Sequence, residues 1–213
     1  MKINLPTKIT ILRIVLVVAL LVFLGVWAIG GKCCGWVSPM LGPVPLVGLI
    51  SALVFIVASA TDALDGYLAR SRNEVTDLGK FLDPIADKML VNSSLIFFAI
   101  AWEFNPGALQ IPAFCVILMV LRDLVVDTMR FVAASKGKVV AANIFGKLKT
   151  VFQMIAIPLV MLNGWPFSYF DASWNPYCRI ATILIYIATT MSLVSGVIYV
   201  VMNRHVLKED KHD

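Results

Sequence analysis

Within one stretch of twenty-six residues the chain carries Asp62, Asp65, Gly66, Ala69, Arg70, Gly79, Asp83 and Asp87, which form the pattern D-x2-D-G-x2-A-R-x8-G-x3-D-x3-D. The segments on either side are among the most apolar in the sequence. One carboxylate at membrane depth costs about 2.5–3.5 kcal/mol on insertion scales, so four in a single hairpin require a compensating partner. Asp62 and Asp65 are three residues apart, and Asp83 and Asp87 four. On helices each pair projects from one face, and the intervening turn brings the two faces together. Hard oxygen donors of this kind suit Mg2+, Mn2+ or Ca2+, and two such ions bridged by shared aspartates clamp a displacement at phosphorus. Gly66 allows a ligand to approach the backbone, and Arg70 offers a planar cation to a phosphate or to one of the carboxylates. A plain Asp–Arg pair inside a helix bundle is the alternative, but Arg70 and Lys80 leave too much negative charge unmatched without metal.

The elements that must hold these residues are transmembrane helices. The 213 residues are 60% hydrophobic with a mean hydropathy of +0.87, too apolar for a soluble domain of this size. Long, nearly uncharged runs place six spans at roughly Ile9–Ile29, Val44–Ala69, Lys80–Trp102, Ala108–Ala134, Ile144–Leu162 and Tyr177–Met202. The expected architecture is therefore an all-α integral membrane bundle of six helices forming one domain over residues 1–213, with no internal repeat. Thr7 is the expected cap of the first helix, which reads as a retained span rather than a signal peptide because it is long and lacks a small-x-small exit. Lys and Arg gather at one membrane face, including Lys2, Lys8, Arg70, Arg72, Lys136, Lys138, Lys147 and Arg204, whereas Lys32 and Arg179 fall on the other. Both termini and the aspartate hairpin are thus expected on the cytoplasmic side. The net charge of +5 reflects this asymmetry and attraction to anionic lipid; it is not a nucleic-acid footprint. Trp36, Trp165, Tyr169 and Trp174 read as an interfacial belt on the outer side. Cys33, Cys34 and Cys178 map there too, and free thiols are expected in preference to a bridge.

A second charged cluster lies further on. Arg122 and Arg130 are eight residues apart, two turns along one helical face, and Lys147 and Lys149 open the following span. Asp123 and Asp127 are near in sequence but displaced around the helix from Arg122, so ion pairing within the bundle is one reading. The other is a cationic pocket for a phosphate monoester.

The eight-position motif resembles that of the CDP-alcohol phosphatidyltransferases, membrane enzymes that move a phosphatidyl group from a CDP-linked lipid to an alcohol and release CMP. Eight specified positions make this a specific signal, whereas DxxD alone would be weak. The likeness extends to Asn4, Pro6, Thr10 and Arg13 and to the stretch from Arg122 to Thr150, where the segments L-R-D and G-K-L-K-T look most like the bacterial phosphatidylglycerophosphate synthases. The resemblance implies two Mg2+ or Mn2+ ions, one held by Asp62, Asp65 and Asp83 and the other by Asp65, Asp83 and Asp87, with Asp87 orienting or deprotonating the attacking hydroxyl. It implies that Asn4, Pro6, Thr10, Gly66, Ala69, Arg70, Thr76 and Gly79 bind CDP-diacylglycerol. It further implies that Arg122, Arg130, Lys147 and Lys149 bind the phosphate of sn-glycerol 3-phosphate, giving phosphatidylglycerophosphate and CMP in the bacterial inner membrane, and that the enzyme is a homodimer. The motif does not distinguish other acceptors, such as phosphatidylglycerol (a cardiolipin synthase) or inositol phosphate. A cation transporter would also carry intramembrane acids, but spread over two related halves.

Overall fold

A computed structural model of the chain describes residues 5–35, 39–42, 44–71, 77–100, 109–136 and 144–204; at positions 5, 6, 32, 63–71, 77, 78, 80 and 81 it describes the backbone alone. Six long helices dominate these residues: α1 Leu5–Cys34, α2 Leu46–Ser71, α3 Asp77–Ala99, α4 Ala113–Ser135, α5 Ile144–Met161 and, after a single-turn α6 Ser168–Asp171, α7 Ile180–Asn203. Each coincides with one of the hydrophobic runs in the sequence. α1 begins earlier than expected, at Leu5, so Thr7 lies inside its first turn as a buried residue and not at its cap. Pro6 accounts for this, since proline is tolerated in the first turn, where its missing N–H would have no helical partner.

The side chains are arranged as a bundle solvated by hydrocarbon would have them. Val15, Val22, Val26 and Ile29 of α1 and Val197 and Val201 of α7 face outward, whereas Ser51, Ser94, Thr182, Thr189, Ser192 and Ser195 are buried. In water this would be inverted. In lipid, apolar residues cost nothing on the outside, and small or hydroxylated residues allow close approach and hydrogen bonding between helices. Among the described residues, Thr7–Gly31, Ile144–Met161 and Ile180–Asn203 are each long and apolar enough to cross a membrane, and Leu46–Asp62 is a shorter apolar helix. α3 and α4 carry Asp83, Asp87, Lys88, Arg122, Asp123, Asp127 and Arg130, and these charges lower their hydropathy.

α1 packs on α2 and α3; α2 continues to α5; α5 and α4 both pack on α7; and α3 bridges to α4 and α5. The core runs through Leu20, Phe55, Leu90, Leu95, Met119, Ile157 and Ile185. α2 and α5 meet most tightly at Gly48, where an added Cβ would lie 1.9 Å from the carbonyl oxygen of Met161. The ends opposite the aspartates are closed by turns. Gly35 follows α1 with φ of 65°, a left-handed stop, and Met40–Leu41 pairs with Val44–Pro45 as a minimal antiparallel hairpin. Asn163, at φ 56° after α5, uses its side-chain oxygen to accept from the Leu109 backbone N–H at 2.9 Å. Asp171 is fully buried, and its carboxylate accepts from the N–H of Ile180, the first residue of α7, at 2.8 Å. A negative group there satisfies an orphan donor and complements the positive end of the helix. All four cysteines are free thiols, Cys115 buried and Cys33, Cys34 and Cys178 exposed.

Candidate active site: an aspartate hairpin beside a cationic cavity

α2 and α3 form the hairpin that carries the motif, and α1 ties it together. Thr10 and Arg13, three residues apart on one face of α1, reach different arms. The Thr10 hydroxyl donates to Asp83 on α3 at 2.8 Å, and the Arg13 guanidinium donates to Asp62 on α2 at 2.5 Å. Arg13 is only 1% exposed, so the ion pair is largely shielded on its cationic side. Among the described residues, the partner of Asp62 thus comes from forty-nine residues away, on α1. Asp87 lies one turn beyond Asp83 on α3, on the side that faces Arg122 of α4 and Lys149 of α5. Gly79 is buried on α3. Asp65, Gly66, Ala69 and Arg70 are on the last turns of α2, and Pro6 is on the first turn of α1, with their side chains outside the described residues; Asn4 and Thr76 lie wholly outside them.

The donor set suits a divalent hard cation. Asp62 and Asp83 each engage one carboxylate oxygen with α1, and among the described residues the second oxygen of each has no protein partner. The described acids do not by themselves make a three-ligand group, and Asp65, one turn after Asp62, is outside that set.

Next to Asp87 is a cavity of about 260 Å³ lined from α3 by Asp87, Lys88 and Asn92, from α4 by Arg122, Asp123, Asp127 and Arg130, from α5 by Lys147, Lys149 and Gln153, and from α7 by Ser195 and Tyr199. All four cations of the second cluster are therefore brought together at one cavity, and ion pairing is seen within it. Arg122 Nη1 donates to Asp123 at 2.9 Å, and the 5% exposed Lys149 donates to the same carboxylate oxygen from α5. Lys88 pairs with Asp127. Adjacent positions on a helix point about 100° apart, yet the long arginine side chain folds back far enough to reach Asp123. Arg122 also crosses to α7, where Nε donates to the Ser192 carbonyl at 3.1 Å and Nη2 to the Ser195 hydroxyl at 2.6 Å. Its stem fits only because residue 196 is glycine: a Cβ there would lie 2.7 Å from Arg122 Cγ. Three of the five guanidinium N–H groups are thereby fixed, leaving two for the cavity. Arg130 is held differently, with its guanidinium carbon 5.5 Å from the centre of the Tyr199 ring.

Five cations and three carboxylates line the cavity, an excess of two positive charges. Sequence reasoning missed Lys88, Ser195, Gly196 and Tyr199. Lys88 adjoins a motif aspartate and could have been noticed, whereas the α7 residues carry no signal of their own.

A helical bundle with an acidic metal-type hairpin opening beside a cationic cavity is the arrangement expected of a phosphoryl-group transferase acting at a membrane. The family model of CDP-alcohol phosphatidyltransferase matches residues 3–203, and the chain belongs to that family. It is 38% identical over 206 residues to the CDP-diacylglycerol--glycerol-3-phosphate 3-phosphatidyltransferase of Bacillus subtilis, covering 96% of this chain and 97% of the relative. The proteins of the same name from Mycoplasma pneumoniae and Haemophilus influenzae are 38% and 33% identical, with 92% and 93% of this chain and 86% and 92% of the relatives covered.

Proposed function

We propose that this enzyme transfers the phosphatidyl group of CDP-diacylglycerol to a hydroxyl of sn-glycerol 3-phosphate, forming phosphatidylglycerophosphate and releasing CMP. The observation that carries the choice of acceptor is the cationic cavity beside Asp87. Its excess of two positive charges matches a phosphate monoester, which bears about −1.5 to −2 near neutral pH. A neutral alcohol would leave that excess uncompensated. The names of the relatives point to the same reaction.

In this reading Asp62, Asp65, Asp83 and Asp87 hold two Mg2+ or Mn2+ ions, which when bound neutralise the pyrophosphate and stabilise charge on the departing CMP. Arg13 and Thr10 orient Asp62 and Asp83 through the contacts described above, as partners of ligating carboxylates commonly do. Asp87, at the wall shared with the cavity, is placed to orient the acceptor hydroxyl or accept its proton. Arg122, Arg130, Lys147 and Lys149 bind the acceptor's phosphate. Asn4, Pro6, Thr10, Gly66, Ala69, Arg70, Thr76 and Gly79 line the CDP-diacylglycerol site. The six long helices span the bacterial inner membrane as one domain, with the site and both termini on the cytoplasmic side, and two copies associate as a dimer.

Purified protein supplied with CDP-diacylglycerol, Mg2+ and a panel of acceptors tests this by release of CMP. Glycerol 3-phosphate should support turnover, whereas phosphatidylglycerol, inositol phosphate and glycerol should not. A chelator should abolish the activity, and Asp83→Asn should lower it about a hundred-fold or more. Turnover with glycerol equal to that with glycerol 3-phosphate would remove the case for a phosphorylated acceptor.

A further inference from the structure

Tyr199 is 2% exposed, yet its hydroxyl has no hydrogen-bond partner among the described residues. Buried tyrosine hydroxyls are nearly always paired, because desolvating one without a partner is costly. Tyr199 is also one of the residues that line the cavity, where positive charge is in excess. A donor left open in such a place is suited to an anionic oxygen.

The ring has a second part to play. Arg122 and Lys149 both spend charge on Asp123, and Lys88 on Asp127. Arg130 has no ion pair among the described residues and is steadied by the face of Tyr199 instead. An aromatic face holds a guanidinium without cancelling its charge. Arg130 therefore keeps its full charge for whatever enters the cavity.

We propose that Tyr199 contacts the acceptor directly: its hydroxyl donates to an oxygen of the acceptor's phosphate, while its ring presents Arg130 to the same group. This rests on the assignment of the cavity to a phosphorylated acceptor. Tyr199→Phe keeps the ring and removes only the donor. With full-length purified protein it should raise the KM for glycerol 3-phosphate about ten-fold, the worth of one hydrogen bond to a charged group. kcat and the KM for CDP-diacylglycerol should stay within about two-fold, and the thermal midpoint in detergent should be unchanged or higher, since an unpaired buried hydroxyl is being removed. Tyr199→Leu, which also removes the support of Arg130, should raise the acceptor KM further.

A wild-type acceptor KM in Tyr199→Phe, a rise confined to the KM for CDP-diacylglycerol, or a fall in thermal midpoint would each overturn the proposal. Arg130→Ala, measured alongside, separates the two assignments. If it raises the acceptor KM and Tyr199→Phe does not, only the role of Tyr199 fails; if neither does, the acceptor site itself is misassigned.

Discussion

Asp123 serves two cations from two helices: Arg122 beside it on α4 and the buried Lys149 on α5. Removing one member of a buried ionic group costs about 3–5 kcal/mol, because the charge left behind has neither partner nor water. Arg122 keeps its bonds to Ser192 and Ser195 and both cations border the cavity, so Asp123→Ala is expected to lower stability by less than that, about 1–3 kcal/mol, read as a fall in thermal midpoint, and Asp123→Asn by less still, since the amide oxygen still accepts. Loss of the carboxylate would also leave the cavity more positive, so acceptor affinity in the folded fraction should not fall in step with stability. At this scale the sequence was legible where chemistry is local. The spacing of the aspartates marked the acidic hairpin, and the structure brings Asp62 and Asp83 of its two arms to neighbouring residues of α1. The partner of Asp62 was not legible, because Arg13 comes from a helix that sequence distance does not connect to the hairpin, and only packing selects it. Tyr199 was hidden for another reason: a tyrosine near the end of an apolar helix looks like any interfacial aromatic.

Among the elements, glycines on α1, α2 and α7 have surroundings that differ, and this ranks three substitutions. Gly25 on α1 has open space around the position of a Cβ, Gly196 on α7 faces the flexible stem of Arg122, and Gly48 on α2 faces a backbone carbonyl. Gly25→Ala should be neutral or stabilise by about 0.5–1 kcal/mol through the helix preference for alanine. Gly196→Ala should destabilise by about 1–3 kcal/mol as Arg122 is displaced. Gly48→Ala should cost more than either, since only separation of α2 from α5 relieves the contact. Thermal midpoints of the three variants in one detergent would establish the order. Helix positions follow from hydrophobic runs and were readable to within a few residues. The early start of α1 and the caps at Asn163 and Asp171 depend on single residues that runs of hydropathy pass over.

For the whole molecule, the proposed six spans with the charged site at one end put the turns after α1 and before α7 across the membrane from the loop after α4. The native thiols report this, because Cys33, Cys34 and Cys178 are exposed and Cys115 is buried. In intact cells a membrane-impermeant maleimide should label the first three and spare Cys115. In a cysteine-free background a single Ser135→Cys, exposed at the end of α4, should be labelled only after the membrane is opened. Labelling of position 135 from outside would overturn the arrangement of the spans. The opposed surfaces explain why the sequence disclosed the class of molecule so readily: hydrocarbon selects apolar residues along whole helices, and that signal is long. A site assembled from four helices leaves only scattered polar residues behind, and their convergence is a property of the bundle.

Arg122 lines two volumes. On one side is the polar cavity, and on the other an apolar groove of about 350 Å³ between α4 and α7, walled by Leu121, Val125, Val197 and Val201. One side chain is thus a partition between two solvents, with its methylenes toward oil and its guanidinium toward water. Shortening it would open a door as well as remove a charge, and lipid tails or detergent could then pass into the polar cavity. The residual activity of Arg122→Ala should therefore vary with the amphiphile around the protein, whereas that of Arg130→Ala should not.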